Sequence, residues 1–291
     1  WQRFTGGPKL LIGWHSRMDC PDSGALHVVF ATSKHSTDQG HLHPMATRND
    51  ERRADQLRPV CFTLDYQHNP LGSVLITMGQ TRVICSVTVE DSVPRWMSRD
   101  DGRGWVTAEY QMLPGATAPR SQREVTRGRP SGRSSEIQRL IGRSLRAAVD
   151  LTKVPGRTFY VDCDVLDADG GTRCAAITGS SVALELALRR LLEEGKIRDW
   201  PMLRRIAAVS VGVVEGETIL DLCYTEDSRA DVDMNVVMTS AGHFVEVQGT
   251  AEDREFSRRQ LDEMLGLAET GIGTLFELQN DLMAGHSRQR T

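Results

Sequence analysis

The sequence has no apolar run as long as a membrane-spanning helix, which needs about 20 residues, so it predicts no membrane partner. Its six cysteines include no Cys-x-x-Cys pair, a spacing typical of zinc and redox sites. We therefore expect free thiols in a reducing compartment, the cytoplasm, and neither a disulfide framework nor a zinc site. Aromatic residues are few, at 5%, but 291 residues with 39% hydrophobic content can bury a large core.

Lysine is nearly absent, because the sequence contains 31 arginines and only 4 lysines at a formal net charge of −4. The near-neutral total does not indicate a nucleic-acid-binding protein, and codon usage in a GC-rich genome explains an arginine bias. It does not explain the cluster between Arg120 and Arg146, in which Pro119, Gly128 and Pro130 predict a loop. Such a loop either binds a phosphate backbone or is simply solvated. The cluster consists of Arg120, Arg123, Arg127, Arg129, Arg133, Arg139, Arg143 and Arg146.

The first 44 residues differ from the rest of the chain. They are rich in His, Gly, Ser and Thr and show no sustained period of 2 or 3.6 residues. Well-patterned sequence begins only after Met45. We therefore expect residues 1–44 to lie outside the fold, as a disordered extension or as translated upstream sequence, and residues 45–291 to form a single domain.

The periodic segments after residue 58 alternate between β-hairpins and helices. β-rich runs meet at short turns such as Gly79-Gln80, which is a hairpin signal. Apolar residues at three- and four-residue steps predict helices, one of which has a capping box of Ser135 and Gln138. The pattern predicts an α+β fold with mixed β-sheets and packed helices, and suggests a duplicated hairpin–helix unit. The predicted elements are hairpins at 73–89, 207–222 and 236–247 and helices at 135–153, 172–194 and from Ser257 onward.

A β-branched run at 159–166 leads into two glycines, Gly170 and Gly171, after which an amphipathic helical pattern begins. A glycine turn that opens a helix can form an anion site, because the main chain approaches closely and the first helical N–H groups point at the anion. Thr172 adds a hydroxyl, and Arg173 adds a fork of donors suited to phosphate oxygens. The lysine of a Walker loop is missing, which argues against an ordinary nucleoside triphosphate site. A glycine turn that only leads into a core helix is an equal alternative.

A second cluster contains five acidic residues within thirteen positions. Carboxylates at this density repel one another unless a cation, arginines or shared protons relieve them. Oxygen-only ligands suit Mg²⁺ or Mn²⁺, and the alternative is an acidic solvated turn. Together with the glycine turn and the arginine cluster, these carboxylates predict a phosphoryl-transfer site. The five are Asp221, Glu226, Asp227, Asp231 and Asp233.

The segment from about Asp55 to Met283, nearly four fifths of the chain, contains seven motifs. They are 55–60 (DQLRPV), 104–110 (GWVTAEY), 136–143 (EIQRLIGR), 166–179, 226–228 (EDS), 233–239 (DMNVVMT) and 246–252 (EVQGTAE). In these motifs the chain resembles the bacterial ribonuclease PH family of phosphorolytic 3′→5′ exoribonucleases. The resemblance implies a ribonuclease PH-like α+β domain and begins close to Met45.

The resemblance also implies roles for residues of each cluster. In the family an arginine just before a long helix binds the attacking phosphate, and Arg133 matches it. The Gly-Gly-Thr-Arg loop supplies further phosphate contacts, matched by Gly171, Thr172 and Arg173. Two aspartates six residues apart hold Mg²⁺ or deliver a proton, and arginines of the loop hold RNA. The matching residues are Asp227 and Asp233 for the aspartates and Arg120 and Arg123 for the arginines.

The activity that the resemblance implies is the removal of 3′-terminal nucleotides from RNA, chiefly tRNA precursor trailers, as nucleoside diphosphates. Inorganic phosphate would be the co-substrate, the reaction would be reversible, and the protein would assemble as a homohexamer, a trimer of dimers. Three departures from the family pattern are Gly115 in place of an RNA-contacting arginine, Cys174 in place of threonine and Cys223 in place of an acid. Two alternatives stay open: a ring subunit that has lost catalysis, and a phosphate-using enzyme that acts on small nucleotides.

Overall fold

The computed structural model describes residues 48, 50–252 and 254–289 and the backbone of 27–30. This part of the chain forms two β-sheets and four α-helices. The strands are β1 (His27–Phe30), β2 (Val60–Leu64), β3 (Gly72–Met78), β4 (Thr81–Glu90), β5 (Trp105–Met112), β6 (Thr158–Asp167), β7 (Ile206–Val214), β8 (Glu217–Leu220), β9 (Val232–Thr239) and β10 (Phe244–Ala251). The helices are α1 (Gly132–Ala148), α2 (Thr172–Glu193), α3 (Tyr224–Asp227) and α4 (Arg258–Gln289).

Six strands form the first sheet in the order β1-β2-β3-β4-β6-β5, and every neighbouring pair is antiparallel except β5 and β6. The predicted 73–89 hairpin is confirmed as β3 and β4, which turn at Gly79-Gln80 with Met78 opposite Thr81. β6 lies in the interior of this sheet between β4 and β5. A firmly held strand therefore leads into the glycine turn that follows Asp167.

The second sheet has the order β10-β9-β7-β8 and is antiparallel throughout. Its two hairpins, β7–β8 and β9–β10, confirm the predictions at 207–222 and 236–247. β7 is buried at eight of its nine positions, because both α2 and α4 pack against it. An alternating pattern is therefore missing from β7, which has a nearly continuous apolar sequence.

α2 lies between the two sheets and contacts β3 and β4 of the first and β7 of the second. Its bounds confirm the predicted helix at 172–194, but the expected amphipathic character is wrong, because both sides of the helix are covered. Small residues permit this close packing. A Cβ at Gly179 would lie 2.8 Å from the sulfur of Cys85 and 2.8 Å from a methyl carbon of Ile76.

α1 begins earlier and ends earlier than the predicted helix at 135–153. The side chain of Ser131 caps it by accepting the N–H of Ser134 at 3.0 Å, so Ser135 lies inside the first turn and does not form the predicted capping box. Val149 is extended and ends the helix, and a separate 3-10 turn follows at Leu151–Lys153. The shift places Arg133 in the first turn of α1.

Part of the segment expected outside the fold belongs to the first sheet. The backbone of residues 27–30 forms β1, which pairs with β2 in antiparallel register, and this corrects the expectation there. The rest of 1–44 lies outside the described residues. At the other end, Ser257 caps α4 as predicted, since its hydroxyl accepts the N–H of Gln260 at 3.3 Å.

One cluster of buried apolar side chains extends from the first sheet through α2 to the second sheet and α4. This continuity supports the proposal that residues 45–291 form a single domain. The duplicated unit stays a prediction, since the two sheets differ in strand number and order. Within the described residues no helix combines the length and the apolar character that a bilayer span requires.

Candidate active site

The glycine turn adopts the strained backbone that only glycine accepts readily. Gly170 has a φ of +72° and Gly171, the N-cap of α2, has a φ of +64°. A Cβ at Gly170 would lie 2.5 Å from the carbonyl oxygen of Leu222, so the turn also packs tightly against the chain that enters α3. The predicted strand, turn and helix N-terminus are therefore present, and the first N–H groups of α2 are placed for an anion.

A buried ion pair supports this turn, and no local pattern in the sequence predicts it. The guanidinium of Arg58 donates to the carbonyl oxygens of Asp169 and Gly170. The same side chain donates to Asp221 from Nη2 at 2.7 Å and from Nε at 3.0 Å. Burial is the largest influence on the pKa of Asp221 and acts to raise it, but the charge and hydrogen bonds of Arg58 and the charge of Arg52 together outweigh burial and hold that pKa below its usual value. Asp221 is thus an ionised structural group that fixes the phosphate loop.

Thr172 and Tyr110 meet directly behind the turn. Their side-chain oxygens are 2.8 Å apart, and both residues are buried. Burial raises the pKa of Tyr110, so its phenol stays protonated and can hold the threonine hydroxyl in one orientation. Tyr110 belongs to the motif at 104–110, but the sequence alone gave it no role in the site.

Two arginines approach the site from different helices. Arg173, in the first turn of α2, donates to Gln248 at 3.0 Å and to Glu136 at 3.3 Å. Arg133 is exposed in the first turn of α1, and its side chain forms no hydrogen bond or ion pair with any other described residue. Its charge nevertheless acts on Tyr110 and on both predicted catalytic aspartates. The donors of Arg133 are therefore available to a bound anion.

Asp227 and Asp233 lie close enough to each other for the charge of Asp227 to act on Asp233. Asp227 ends α3, and Asp233 lies in β9. Burial and the charge of Asp227 raise the pKa of Asp233 to about 6, while Arg173 acts in the opposite direction. Burial also raises the pKa of Asp227, against the charges of Arg133 and Arg173. Two carboxylates that disfavour joint ionisation can share a proton or bind a cation.

The other acidic residues of the predicted cluster do not join this pair. Glu226 is held by Arg48 at 2.7 Å, Asp221 binds Arg58, and Asp231 lies 3.7 Å from Arg254. Arginines, rather than one shared cation, therefore relieve most of the cluster. Among the described residues no three His, Cys, Asp or Glu side chains come together as a metal site. Of the three ways to relieve the acidic cluster, arginines therefore apply to Asp221, Glu226 and Asp231, and the predicted metal residues Asp227 and Asp233 stay a prediction.

The arginine cluster also divides into two parts. Arg120 and Arg123 are exposed in the loop between β5 and α1, and neither side chain has a hydrogen bond or ion pair with another described residue. On α1, in contrast, Arg143 binds both oxygens of Glu246, at 2.7 and 2.8 Å. Arg146 lies 4.4 Å above the ring of Trp105. The loop arginines and Arg133 at the exposed start of α1 are therefore open to a ligand, whereas Arg143 and Arg146 are engaged within the fold.

The three departures from the family pattern occupy different environments. Gly115 is exposed, and a Cβ there would have no neighbour within 4 Å. Cys174 is buried in α2, and its sulfur lies 3.3 Å from the side-chain oxygen of Asn235, a neighbour of Asp233. Cys223 precedes α3, where its N–H donates to Glu226 at 3.0 Å.

A supported anion loop, two approaching arginines and a coupled pair of carboxylates define a phosphoryl-transfer site on an α+β fold. Sequence models of the 3′ exoribonuclease family match this chain at residues 56–189 for domain 1 and 205–271 for domain 2. A ribonuclease PH of Halalkalibacterium halodurans is 54% identical over 237 residues, which are 81% of this chain and 92% of that protein. One of Corynebacterium efficiens is 57% identical over 233 residues, which are 80% and 95%.

Among solved structures, the Archaeoglobus fulgidus exosome with RNA bound to the active site has a subunit with a TM-score of 0.67. It is 24% identical and covers 79% of this chain and 91% of that chain, and it supports the fold alone. The chain belongs to the 3′ exoribonuclease family, in its ribonuclease PH branch. This membership confirms the predicted α+β fold class and the predicted 3′-exoribonuclease activity.

Proposed function

We propose that this chain shortens the 3′ trailers of tRNA precursors by transferring each terminal nucleotide to inorganic phosphate, releasing nucleoside diphosphates. The observation that carries the proposal is the glycine turn at the start of α2, which we call the α2 loop. Its N–H groups, together with Arg133 and Arg173, lie near Asp227 and Asp233. The α2 loop binds phosphate, and the nearby carboxylates transfer a proton or bind a metal ion. Both lie near the start of α2.

Inorganic phosphate binds at the start of α2, between Arg133, Arg173 and the N–H groups after Gly171. The positive end of the helix and two guanidinium groups favour its charge. Thr172 adds its hydroxyl oxygen, which Tyr110 already orients. The ion pair of Arg58 and Asp221 keeps these donors in place before phosphate binds, which is the condition for electrostatic catalysis.

A phosphate oxygen then attacks the phosphorus of the last phosphodiester, and the bond from that phosphorus to the 3′ oxygen breaks. The 3′ oxygen takes up a proton, and a nucleoside diphosphate leaves. Asp233 can deliver this proton near neutral pH, because its pKa lies at about 6. Since the phosphodiester bond is exchanged for the phosphoanhydride bond of the diphosphate rather than lost to water, the reaction also runs in reverse and adds nucleotides from diphosphates.

Asp227 and Asp233 fit Mg²⁺ as well as a proton. Their mutual repulsion and burial leave charge that a cation would neutralise. Mg²⁺ commonly binds through one or two carboxylates, with water and substrate phosphates completing its shell, so the absence of a third described acid is compatible with it. Such an ion would stabilise developing charge on the transferring phosphoryl group.

Arg120 and Arg123 hold the RNA upstream of its 3′ end by contacts to backbone phosphates. Both are exposed and unpaired within the described part of the chain. The protein acts in the cytoplasm as a homohexamer, a trimer of dimers, in which several arginine loops surround an RNA path. The α2 loop of each subunit does the chemistry.

The test is to digest an RNA that carries a 3′ trailer, with and without inorganic phosphate, and to separate the products by chromatography. We expect nucleoside diphosphates that appear only with phosphate. Monophosphates would identify water as the nucleophile and contradict the proposal. Comparing RNA with free nucleotides as substrate tests the small-nucleotide alternative, and a wild-type protein that binds RNA without releasing diphosphate would identify an inactive ring subunit.

A further inference from the structure

Arg48 lies outside the site but binds the short helix that carries Asp227. It is buried, with 7% of its surface exposed. Its guanidinium contacts both carboxylate oxygens of Glu226, from Nε and from Nη2, each at 2.7 Å. Nη1 donates to the carbonyl of Leu220 at 2.8 Å, and Nη2 donates to the carbonyl of Asp221 at 3.0 Å. One side chain therefore joins the end of β8 to α3.

The helix α3 depends on such contacts because it is short. It has four residues, a single turn, and an isolated turn has no stability of its own in water. Glu226 lies in its middle and is buried. Two further anchors are the N–H of Tyr224, which donates to Asp169 at 3.1 Å, and the N–H of Cys223, which donates to Glu226. The position of Glu226 thus sets the position of the next residue, Asp227.

We propose that Arg48 is a positioning residue, which acts through Glu226 and several backbone carbonyls, those of Arg53 and Gln56 at 3.2 and 3.4 Å among them, to hold α3 so that Asp227 faces Asp233. This inference rests on the proposed function, in which Asp227 acts on the reacting groups. It assigns a role in the reaction to the short segment that precedes the family motifs and lies far from both clusters in sequence.

The contacts of Arg48 explain why an arginine is needed there. Its planar fork binds a carboxylate at two points and reaches two carbonyl oxygens at once, whereas a lysine ammonium is a single point charge. Arg52 is a weaker neighbour of the same acid. Its Nη2 lies 3.5 Å from Glu226 and is buried without a hydrogen-bond partner among the described residues. Arg52 therefore does not replace the two-point contact of Arg48.

The phosphate loop has a separate support. Arg58 contacts the side chain of Asp221 and the carbonyls of the glycine turn, whereas Arg48 contacts only the main chain of Asp221. Moving α3 should therefore misplace Asp227 and leave phosphate binding at the α2 loop intact. The kinetic consequence is a fall in kcat with an unchanged KM for phosphate.

The experiment measures phosphorolysis by Arg48→Met, Arg48→Lys and Glu226→Gln at saturating RNA and varied phosphate. We expect Arg48→Met to lower kcat by on the order of 10²-fold, the loss expected when a catalytic group moves by about 1 Å. The KM for phosphate should stay within about twofold of wild type, since the loop support is untouched. Arg48→Lys should recover part of kcat, because it restores the charge but not the fork.

A matched control separates positioning from general stability. Arg205 contacts both oxygens of Glu185, at 2.6 and 2.8 Å, and that acid is 2% exposed, near the opposite end of α2. Arg205→Met should lower the melting temperature as Arg48→Met does but leave kcat unchanged. If Arg48→Met does not fold, Arg48→Lys and Glu226→Gln, assayed below their melting temperatures, carry the test.

The outcomes are distinguishable. Folded Arg48 and Glu226 variants with wild-type kcat would overturn the positioning role and leave the proposed function standing. An equal loss of kcat in Arg205→Met would overturn it as well, because the effect would then follow from stability. A wild-type protein that releases no diphosphate would refute the proposed function itself, and the positioning role with it.

Discussion

Two sets of arginines in this molecule differ in what their guanidinium groups contact. Arg48 and Arg58 are 7% and 3% exposed, and their donors bind carboxylates and main-chain carbonyls. Arg120, Arg123 and Arg133 are exposed, and their side chains have no hydrogen bond or ion pair within the described part of the chain. The first set holds the site together, and the second set has donors left for a phosphate or an RNA backbone.

The difference has an energetic basis. A buried guanidinium must be paired, since an uncompensated charge in the interior is expensive, and removing its partner costs more than the pair itself contributes. An exposed guanidinium is solvated at little cost, and a bound phosphate replaces that water with a charge-assisted contact. Substitutions in the two sets should therefore have different consequences, for stability in the first and for binding and rate in the second.

The largest effect on stability is expected for Arg58→Met. The change leaves Asp221, which is 1% exposed, with only the longer contact of Arg52 at 3.6 Å, and this should lower the free energy of unfolding by about 3–5 kcal/mol. Urea denaturation followed by circular dichroism measures it. The double variant Arg58→Met/Asp221→Asn should recover part of the loss, since asparagine tolerates the φ of +55° at this position. Equal stability of the single and double variants would show that the charge is not the cause.

Arg133→Ala should have the largest effect on rate with the smallest effect on stability. Loss of one fixed donor to a transferring phosphoryl group costs on the order of 10²–10³ in rate. RNA affinity and melting temperature should stay close to wild type, because Arg133 forms no hydrogen bond with another described residue. Single-turnover phosphorolysis, RNA titration and thermal unfolding test this together. Equal losses of rate and RNA affinity would contradict the assignment to phosphate.

The sequence predicted these sets unevenly, and the reason is the range of the contacts. Strand β6, the glycine turn and α2 follow one another in the chain, so local patterns were enough to predict the anion loop. The partners Arg58 and Asp221 are 163 residues apart, and Arg48 and Glu226 are 178 apart, so no local pattern shows that these acids are neutralised. From sequence the acidic run therefore left a cation, arginines and shared protons open as its partners, whereas tertiary contacts assign arginines to most of it.

The boundary of α1 illustrates a smaller error. Ser131 and Ser135 both offer a capping hydroxyl, and Ser135 also has Gln138 three residues later. In the fold Glu124 accepts the N–H of Ser131 at 3.2 Å and the hydroxyl of Ser134 at 2.6 Å, which fixes the helix start at the earlier serine. A loop residue outside the helix thus decided between two caps that are similar in sequence.

The coupling between Asp227 and Asp233 is expected to appear in a titration. The negative charge of Asp227 contributes to the raised pKa of Asp233, so Asp227→Asn should lower that pKa from about 6. It should stay above its ordinary value, because burial is the larger cause. Arg173→Met should raise the pKa of Asp233 above its wild-type value, because it removes a positive charge that lowers it. Carboxyl ¹³C NMR in metal-free buffer measures both changes, and an unchanged pKa in Asp227→Asn would show that the two carboxylates are independent.

A smaller effect is expected for the loop arginines. Exchange of Arg120 and Arg123 together for alanine should weaken RNA binding and reduce the log–log salt slope by roughly 0.7 per lost phosphate contact. Phosphate-dependent rates at saturating RNA should not change. Mass in solution must be measured on the same samples. An unchanged slope in a protein of unchanged mass would show that the loop does not contact RNA, and a fall in mass would show that it belongs to a subunit interface.

The smallest effect is expected for Gly115→Arg, which adds an exposed arginine to the same loop. The open space around this position leaves room for the side chain, so stability should not change. One new phosphate contact should raise RNA affinity and steepen the salt slope by roughly 0.7. Gly115→Gln is the matched control, since it adds a long side chain without charge. Equal affinity of the two variants would show that no backbone phosphate passes this point.

The most direct test of the distinction between the two sets is calorimetric titration of inorganic phosphate into wild type, Arg133→Ala and Arg205→Met. Replacing the exposed Arg133 should weaken phosphate binding. Replacing Arg205, which pairs with Glu185 away from the site, should not. We expect Arg133→Ala to bind phosphate about 10- to 100-fold more weakly, the loss of one hydrogen bond to a charged group, and Arg205→Met to bind it as wild type does. Wild-type phosphate affinity in Arg133→Ala would contradict the account, because the anion would then bind elsewhere.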